Sequence, residues 1–194
     1  MTRLLVVLCS LWMGAALAAA PQQIAATYSL TKQGQKIGTI TESFKQTEGR
    51  YQLESTTSAI GIYALFMKGK IRLISNGDVT DLGLRPLHFE HHRAADPAKT
   101  VQADFDWEKM NLTHSFDGRT ESVALEPGAQ DRISLQYQFM FAPPGKQDIR
   151  LFMTTGKKLN LYHYKLAGEE KITTPAGQFQ TIHLIKQRTG DEDG

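Results

Sequence analysis

The sequence predicts a mainly β protein: a single antiparallel sheet, curved into a half or open barrel, with one short helix packed on its concave face. Three observations carry that expectation. From Ile24 onward, short runs of alternating apolar and polar residues are separated by turn pairs such as Glu48-Gly49, Asp117-Gly118 and Pro127-Gly128, the pattern of antiparallel strands. Sheets of this size twist and curl rather than lie flat. One stretch, residues 131–142 (DRISLQYQFMFA), is the longest apolar-rich segment outside the N-terminus and suits a cover for the hollow side.

Ahead of the strands lies a leader. Arg3 supplies a positive start, and residues 4–17 form an apolar run broken only by Ser10 and Gly14. Ala16-Leu17-Ala18 and Ala18-Ala19-Ala20 both fit the small-residue cleavage pattern. Cleavage after Ala18 is preferred, because a cut after Ala20 would place Pro21 at the scissile bond. The run is shorter than the ~20 residues a spanning helix needs. Residues 1–20 are therefore read as a signal peptide for export, and residues 21–194 as one β-rich domain. The single cysteine, Cys9, falls in the leader, so disulfides, Cys-ligated zinc and thiol catalysis drop out of the mature chain together. About 174 residues suffice for a core without such staples. The formal charge of +2, from 22 basic and 20 acidic residues, becomes +1 once Arg3 is removed. No block of like charge points to nucleic acid, and no later segment approaches transmembrane length.

Strands follow in order. Ile24, Ala26, Tyr28 and Leu30 alternate with Thr27, Ser29 and Thr31, and residues 37–44 return after Gln33-Gly34-Gln35. Tyr51, Leu53 and Ala59 share a face opposed by Gln52, Glu54, Thr56 and Ser58, as in a half-buried strand. The run at 60–67, IGIYALFM, interrupts with a continuous apolar knuckle, after which Lys68, Lys70 and Arg72 share one strand face. Asn76-Gly77 reads as a turn, and Asp81-Leu82-Gly83 as another. Residues 87–93 and 101–107 are strands around Asp96-Pro97, and 112–116 and 121–125 form a hairpin about Asp117-Gly118. Residues 149–155, 159–166, 170–174 and 179–186 complete the strands.

Residues 131–142 support two readings. Ile133, Leu135, Tyr137 and Phe139 alternate with polar residues, as in a strand. Asp131 is a good N-cap, Met140-Phe141 breaks the alternation, and Pro143-Pro144 supplies a stop, as for a helix.

Asn76-Gly77, then Leu82-Gly83-Leu84-Arg85-Pro86, then Phe105-Asp106-Trp107, then residues 128–134 (GAQDRIS) occur in that order. In these the sequence resembles domain of unknown function 3108, a group of exported bacterial proteins, over residues 26–188. The resemblance implies a periplasmic location and an antiparallel sheet with a short helix at 131–141, which tips the balance to a helix there. It brings no catalytic residues. It also implies further C-terminal strands, a Trp-Leu-Ala-Pro-like segment and a Leu-Pro-Val-Arg-like strand, which are not in this sequence: either this is a truncated reading of the gene or the strands are missing in fact. In the second case the strand at 179–186 is expected at an unpaired edge. As a helix, the stretch would place Ile133, Tyr137, Met140 and Phe141 on one apolar face, widened by Leu135 and Phe139.

Few residues propose chemistry. His88, Glu90 and His92 share a strand face, ~6.6 Å apart, and are the candidates for a metal. No fourth ligand is identifiable, so neither a metal nor any other cofactor is expected. Asp104 and Asp106 share another face, but a retaining glycosidase pair needs ~5–5.5 Å, which two strand neighbours reach only with bending. His114, His163 and His183 stand singly. No Gly-x-Ser-x-Gly elbow or phosphate-cradling glycine loop is present. The knuckle is read either as core or, with Lys68, Lys70 and Arg72, as a contact for anionic lipid at ~1 kcal/mol per basic residue. Most apolar clusters are core, which favours the first.

The expected function is a non-catalytic periplasmic protein that binds an apolar ligand or an envelope component. The residues to line the site are Ile62, Tyr63, Phe66, Met67, Tyr137, Met140 and Phe141. The alternative is a structural or protein-interaction module engaging a partner through a sheet edge. A hydrolase, the weaker alternative, would need a cleft joining His88, His92, Asp104 or Asp106.

Overall fold

Among the described residues the chain forms twelve strands. The computed structural model describes residues 20–66, 69–94, 96–145 and 147–187. The expected signal peptide, apart from Ala20, lies outside the described residues, as do Met67 and Lys68.

Eight strands form an antiparallel meander in chain order: β1 (Gln23–Lys32), β2 (Gln35–Thr47), β3 (Arg50–Ala59), β4 (Lys70–Thr80), β5 (Gly83–Arg93), β6 (Val101–Asp106), β7 (Asn111–Phe116) and β8 (Arg119–Ala124). Its register aligns one row of side chains across the sheet. Phe44 pairs with Leu53, Leu53 with Ser75, Ser75 with Phe89, Phe89 with Ala103, and Ala103 with His114. All six are buried. A row of this kind must be covered, because its apolar surface stabilises the fold only when removed from water.

The cover is the chain that follows β8. Leu125, Ala129, Ile133 and Tyr137 join the row in one cluster, with Met140 and Phe141 packed against it. The helix expected at 131–142 is present but short. Only α2 (Ser134–Gln138) is α-helical, and the chain continues to Ala142 in turns such as Phe141 N to Gln138 O at 3.0 Å. The expected face is formed. Ile133, Tyr137, Met140 and Phe141 turn to the meander, while Leu135 and Phe139 pack with Met153 and Tyr162 on the other side.

That second contact corrects the expectation of a single sheet. β9 (Gln130–Asp131) pairs in parallel with β10 (Ile149–Thr154), and β11 (Leu159–Thr174) and β12 (Gly177–Gln187) extend a separate four-stranded sheet in the order β12-β11-β10-β9. A five-residue helix is too small to cover the row alone, so β10 shares the task. Its Thr154 hydroxyl reaches His114 Nε2 at 2.8 Å. The segments expected at 159–166 and 170–174 are one strand with a bulge before Gly168. β12 is at the sheet edge among the described residues, as expected.

Two local readings are also corrected. Asn76-Gly77 is no turn: it lies inside β4, at a bulge opposite Pro86. A Cβ at Gly77 would overlap the Arg85 carbonyl oxygen and lie 2.9 Å from Pro86 Cα, so the glycine serves close approach of two strands. The knuckle is not core. It holds a single helical turn, α1 (Tyr63–Phe66), with Ile62 64% and Leu65 72% exposed. Among the described residues α1 contacts β3, which leaves Ile62 and Leu65 largely uncovered.

Candidate functional site

Where α2 meets the β4–β5 turn, two glutamines replace a missing strand. Gln138 accepts the Leu84 amide at 2.6 Å and donates to the Leu82 carbonyl at 2.9 Å. Gln130 donates to the Leu84 carbonyl at 2.9 Å. Leu84 pairs with Val79 of β4 on one side, and the glutamines satisfy its backbone on the side that β6 does not reach. Gly83, at φ +102°, is required, since a Cβ there would overlap the Gln138 carboxamide oxygen. The turn is locked further by Thr80, whose hydroxyl accepts from Leu82 N and donates to Gly83 O.

Beside this junction is a cleft of about 360 Å³, walled by Leu82, Leu84, Trp107, Met110 and Pro127. Leu82, at the turn tip, is 84% exposed, and Met110 is 39% exposed. Trp107 is held by its indole N–H on the Pro86 carbonyl at 2.6 Å and stacks on Phe105. Gln130 also lines the cleft, and its Oε1 is buried without a hydrogen-bond partner. An apolar pocket with one polar anchor is the usual make-up of a small-molecule site.

The residues expected to line a pocket are placed otherwise. Tyr137 is core: it stacks on Phe44 at 5.6 Å and donates to Glu42 at 3.0 Å, and burial pushes its hydroxyl well above its ordinary range. Met140 and Phe141 pack on the same cluster, and Phe141 meets Phe44 at 6.0 Å. Ile62 is exposed and Tyr63 half-buried, away from that cleft; Phe66 closes α1. Lys70 is exposed, but Arg72 is engaged by Glu54 through two bonds of 2.6 and 2.7 Å. The basic face is thus reduced to Lys70 among the described residues.

His88, Glu90 and His92 do share the outer face of β5. Glu90 lies between the rings, 3.7 Å from His88 Nε2 and against His92 Nε2. Asp104 holds His88 Nδ1 at 2.6 Å, and Thr100 holds His92 Nδ1 at 3.1 Å. The rings flank the carboxylate rather than surround a common point. Among the described residues no group of three or more His, Cys, Asp or Glu side chains is arranged to hold a metal.

Asp104 and Asp106 line a broad surface depression of about 760 Å³. Asp106 accepts from both the backbone and ammonium of Lys109, at 2.9 and 2.8 Å, which holds its carboxyl below the ordinary range. An ionised, paired carboxylate is not a general acid. His114 is packed, as expected of a lone histidine.

Sequence reasoning missed the cleft. Its one legible signal is Leu82, an apolar residue at the tip of an Asp-Leu-Gly turn, where a polar one is the rule.

Fold and cleft define a mainly β protein of two sheets joined over a short helical cover. The chain belongs to the family described as protein of unknown function (DUF3108), whose family model matches residues 25–193. No curated protein and no solved structure matches it.

Proposed function

We propose that the protein is an exported, non-catalytic binding protein of the periplasm, whose ligand is an apolar molecule or the apolar part of an envelope component. The observation that carries this reading is the cleft beside α2, where Leu82 and Met110 stay exposed around Trp107 although the nearby row is fully covered. The unpartnered Gln130 oxygen suits a ligand with one hydrogen-bond donor. On this reading the larger sheet curls around residues 125–142, and the open end of the curl forms the cleft. The leader at 1–20 supports export. The pairing of Asp106 with Lys109, which keeps its carboxyl ionised, argues against a general acid there.

Trp12 and Trp107 are the two tryptophans, so a chain cleaved after Ala18 carries a single fluorophore, in the cleft wall. Titration with oleate is expected to shift Trp107 emission to the blue and to saturate, and Met110→Glu to weaken the effect at least about tenfold. Native mass spectrometry of the protein from the periplasm is expected to show a bound lipid-sized mass. A clean apo mass together with no saturable emission change overturns the reading.

A second reading, a protein-interaction module, is favoured by β12, an edge strand with Phe179, Ile182 and Ile185 exposed. The same mass spectrum would then show a co-purifying polypeptide.

A further inference from the structure

At the opposite end of β5 from the apolar cleft, four cationic side chains converge from four chain segments. They are Arg93 at the end of β5, Lys99 in the 3-10 turn Pro97–Lys99, Arg132 just before α2, and Lys157 in the β10–β11 turn. Together they line a cleft of about 480 Å³. Two of the four charges are answered: Asp96 pairs with Lys99 at 3.0 Å, and Asp117, the one acid lining the cleft, pairs with Lys157 at 2.8 Å. Arg93 and Arg132 have no ion-pair partner among the described residues.

His91 lines the same cleft as those two guanidinium groups. It shares the inner face of β5 with Phe89, cross-paired with Leu73 and Val101. Its Nε2 is buried and has no hydrogen-bond partner. Burial first, then Arg93 and Arg132, hold the ring below its ordinary range. Both guanidinium groups are exposed and without an ion-pair partner, so they can take up the oxygens of an anion beside the buried, unpartnered imidazole nitrogen. The cleft floor is fixed: a Cβ at Gly156 would lie 2.5 Å from Val101 Cγ2, so the turn bearing Lys157 sits directly on the sheet.

We propose that this cleft is an anion-binding site for a phosphoryl group. Arg93 and Arg132 offer planar forks matched to two oxygens each. His91 and Thr155 line the same cleft, and Lys99 and Lys157 enlarge the attraction. The group is inorganic phosphate, a soluble phosphate monoester or a phospholipid headgroup, since all present the same oxygens. The site stands independently of the apolar cleft. From Leu84 to His91 the strand rises about 24 Å, too far for one small ligand to fill both.

The mature protein, with its His91 ring resonances assigned, is titrated with inorganic phosphate against chloride of equal ionic strength. In parallel it is mixed with phosphatidic acid vesicles and with phosphatidylcholine vesicles. Phosphate is expected to shift the His91 resonances saturably and to raise their titration midpoint, with the unfolding temperature rising in step. Arg93→Gln and Arg132→Gln are each expected to weaken binding at least tenfold, and Lys70→Gln to leave it unchanged. Saturation by free phosphate assigns a soluble anion. Response to phosphatidic acid vesicles alone assigns a lipid headgroup. No His91 shift in either arm overturns the site, as does equal loss in Lys70→Gln, which would mean net charge alone. Arg93 is exposed, so its variant tests the site even if Arg132→Gln fails to fold.

Discussion

Asp131 has no contact with solvent, yet it is the most connected polar residue of the cover. Its carboxylate accepts from Ile133 N at 2.9 Å, Ser134 N at 2.8 Å and Ser75 Oγ at 2.5 Å, and Ser75 in turn meets Tyr51 Oη at 2.9 Å. Burial outweighs these bonds and pushes its pKa up to about 6. A raised folded-state pKa means that the group's stability contribution is fully present below about 3.8 and is lost as pH rises through about 6. The protein is therefore expected to lose roughly 1 kcal/mol from this group between pH 5 and pH 7.5. Urea unfolding at the two pH values should show that loss, and Asp131→Asn should flatten it. The sequence allowed half of this to be read. Asp131 was recognisable as a residue that caps amides, although the structure places the N-cap itself at Ile133. Its partner Ser75 was not, because a serine in mid-strand gives no sign that a residue 56 positions away will meet it. His91 was overlooked for a similar reason: in HFEHHR the eye follows the outward set His88, Glu90 and His92, while His91 alternates inward with Phe89.

Among the elements, β4 and the β11–β12 hairpin behave in opposite ways. β4 is crowded on both sides, and Gly77 leaves no room for a methyl group. Gly77→Ala is expected to cost about 1–3 kcal/mol, read as a lower urea midpoint at unchanged slope. Beyond Leu166, by contrast, β11 pairs with β12 alone, and most of that hairpin is exposed. Amides at 169–181 are expected to exchange hydrogen roughly a hundredfold faster than those of β3 to β5, because local opening there exposes little apolar surface. Strand existence was well written in the sequence, since period-two alternation is a local property. Two items were not. Asn-Gly is the strongest short hairpin signal, and only the closeness of Arg85 and Pro86 shows why glycine is needed inside a strand. β9 has two residues, too few for any periodicity.

For the molecule as a whole, the division into two sheets could not be read from strand patterns, because each strand looks the same whichever sheet it joins. The number of strands against the size of one short helix was the available clue. The two clefts belong to this scale as well. Each gathers residues from distant segments, Leu82, Trp107 and Gln130 in one, Arg93, Arg132 and Lys157 in the other. Each also contains one of the two buried side-chain atoms left without a hydrogen-bond partner among the described residues. Composition could not reveal them: the net charge is +2, and the four cations are dispersed over 65 positions of the chain from Arg93 to Lys157. The knuckle shows the opposite failure. Its apolar run was visible, but whether neighbours exist to bury it was not.

The covering segment also sets an order of events. Every ladder bond of the eight-stranded meander joins neighbours in sequence, so that sheet can assemble by successive hairpins. Its apolar row is closed only by contacts of far greater separation, such as Tyr137 to Glu42 across 95 residues. Until residues 125–154 arrive, the N-terminal portion holds a paired but bare sheet, the state most open to misassociation.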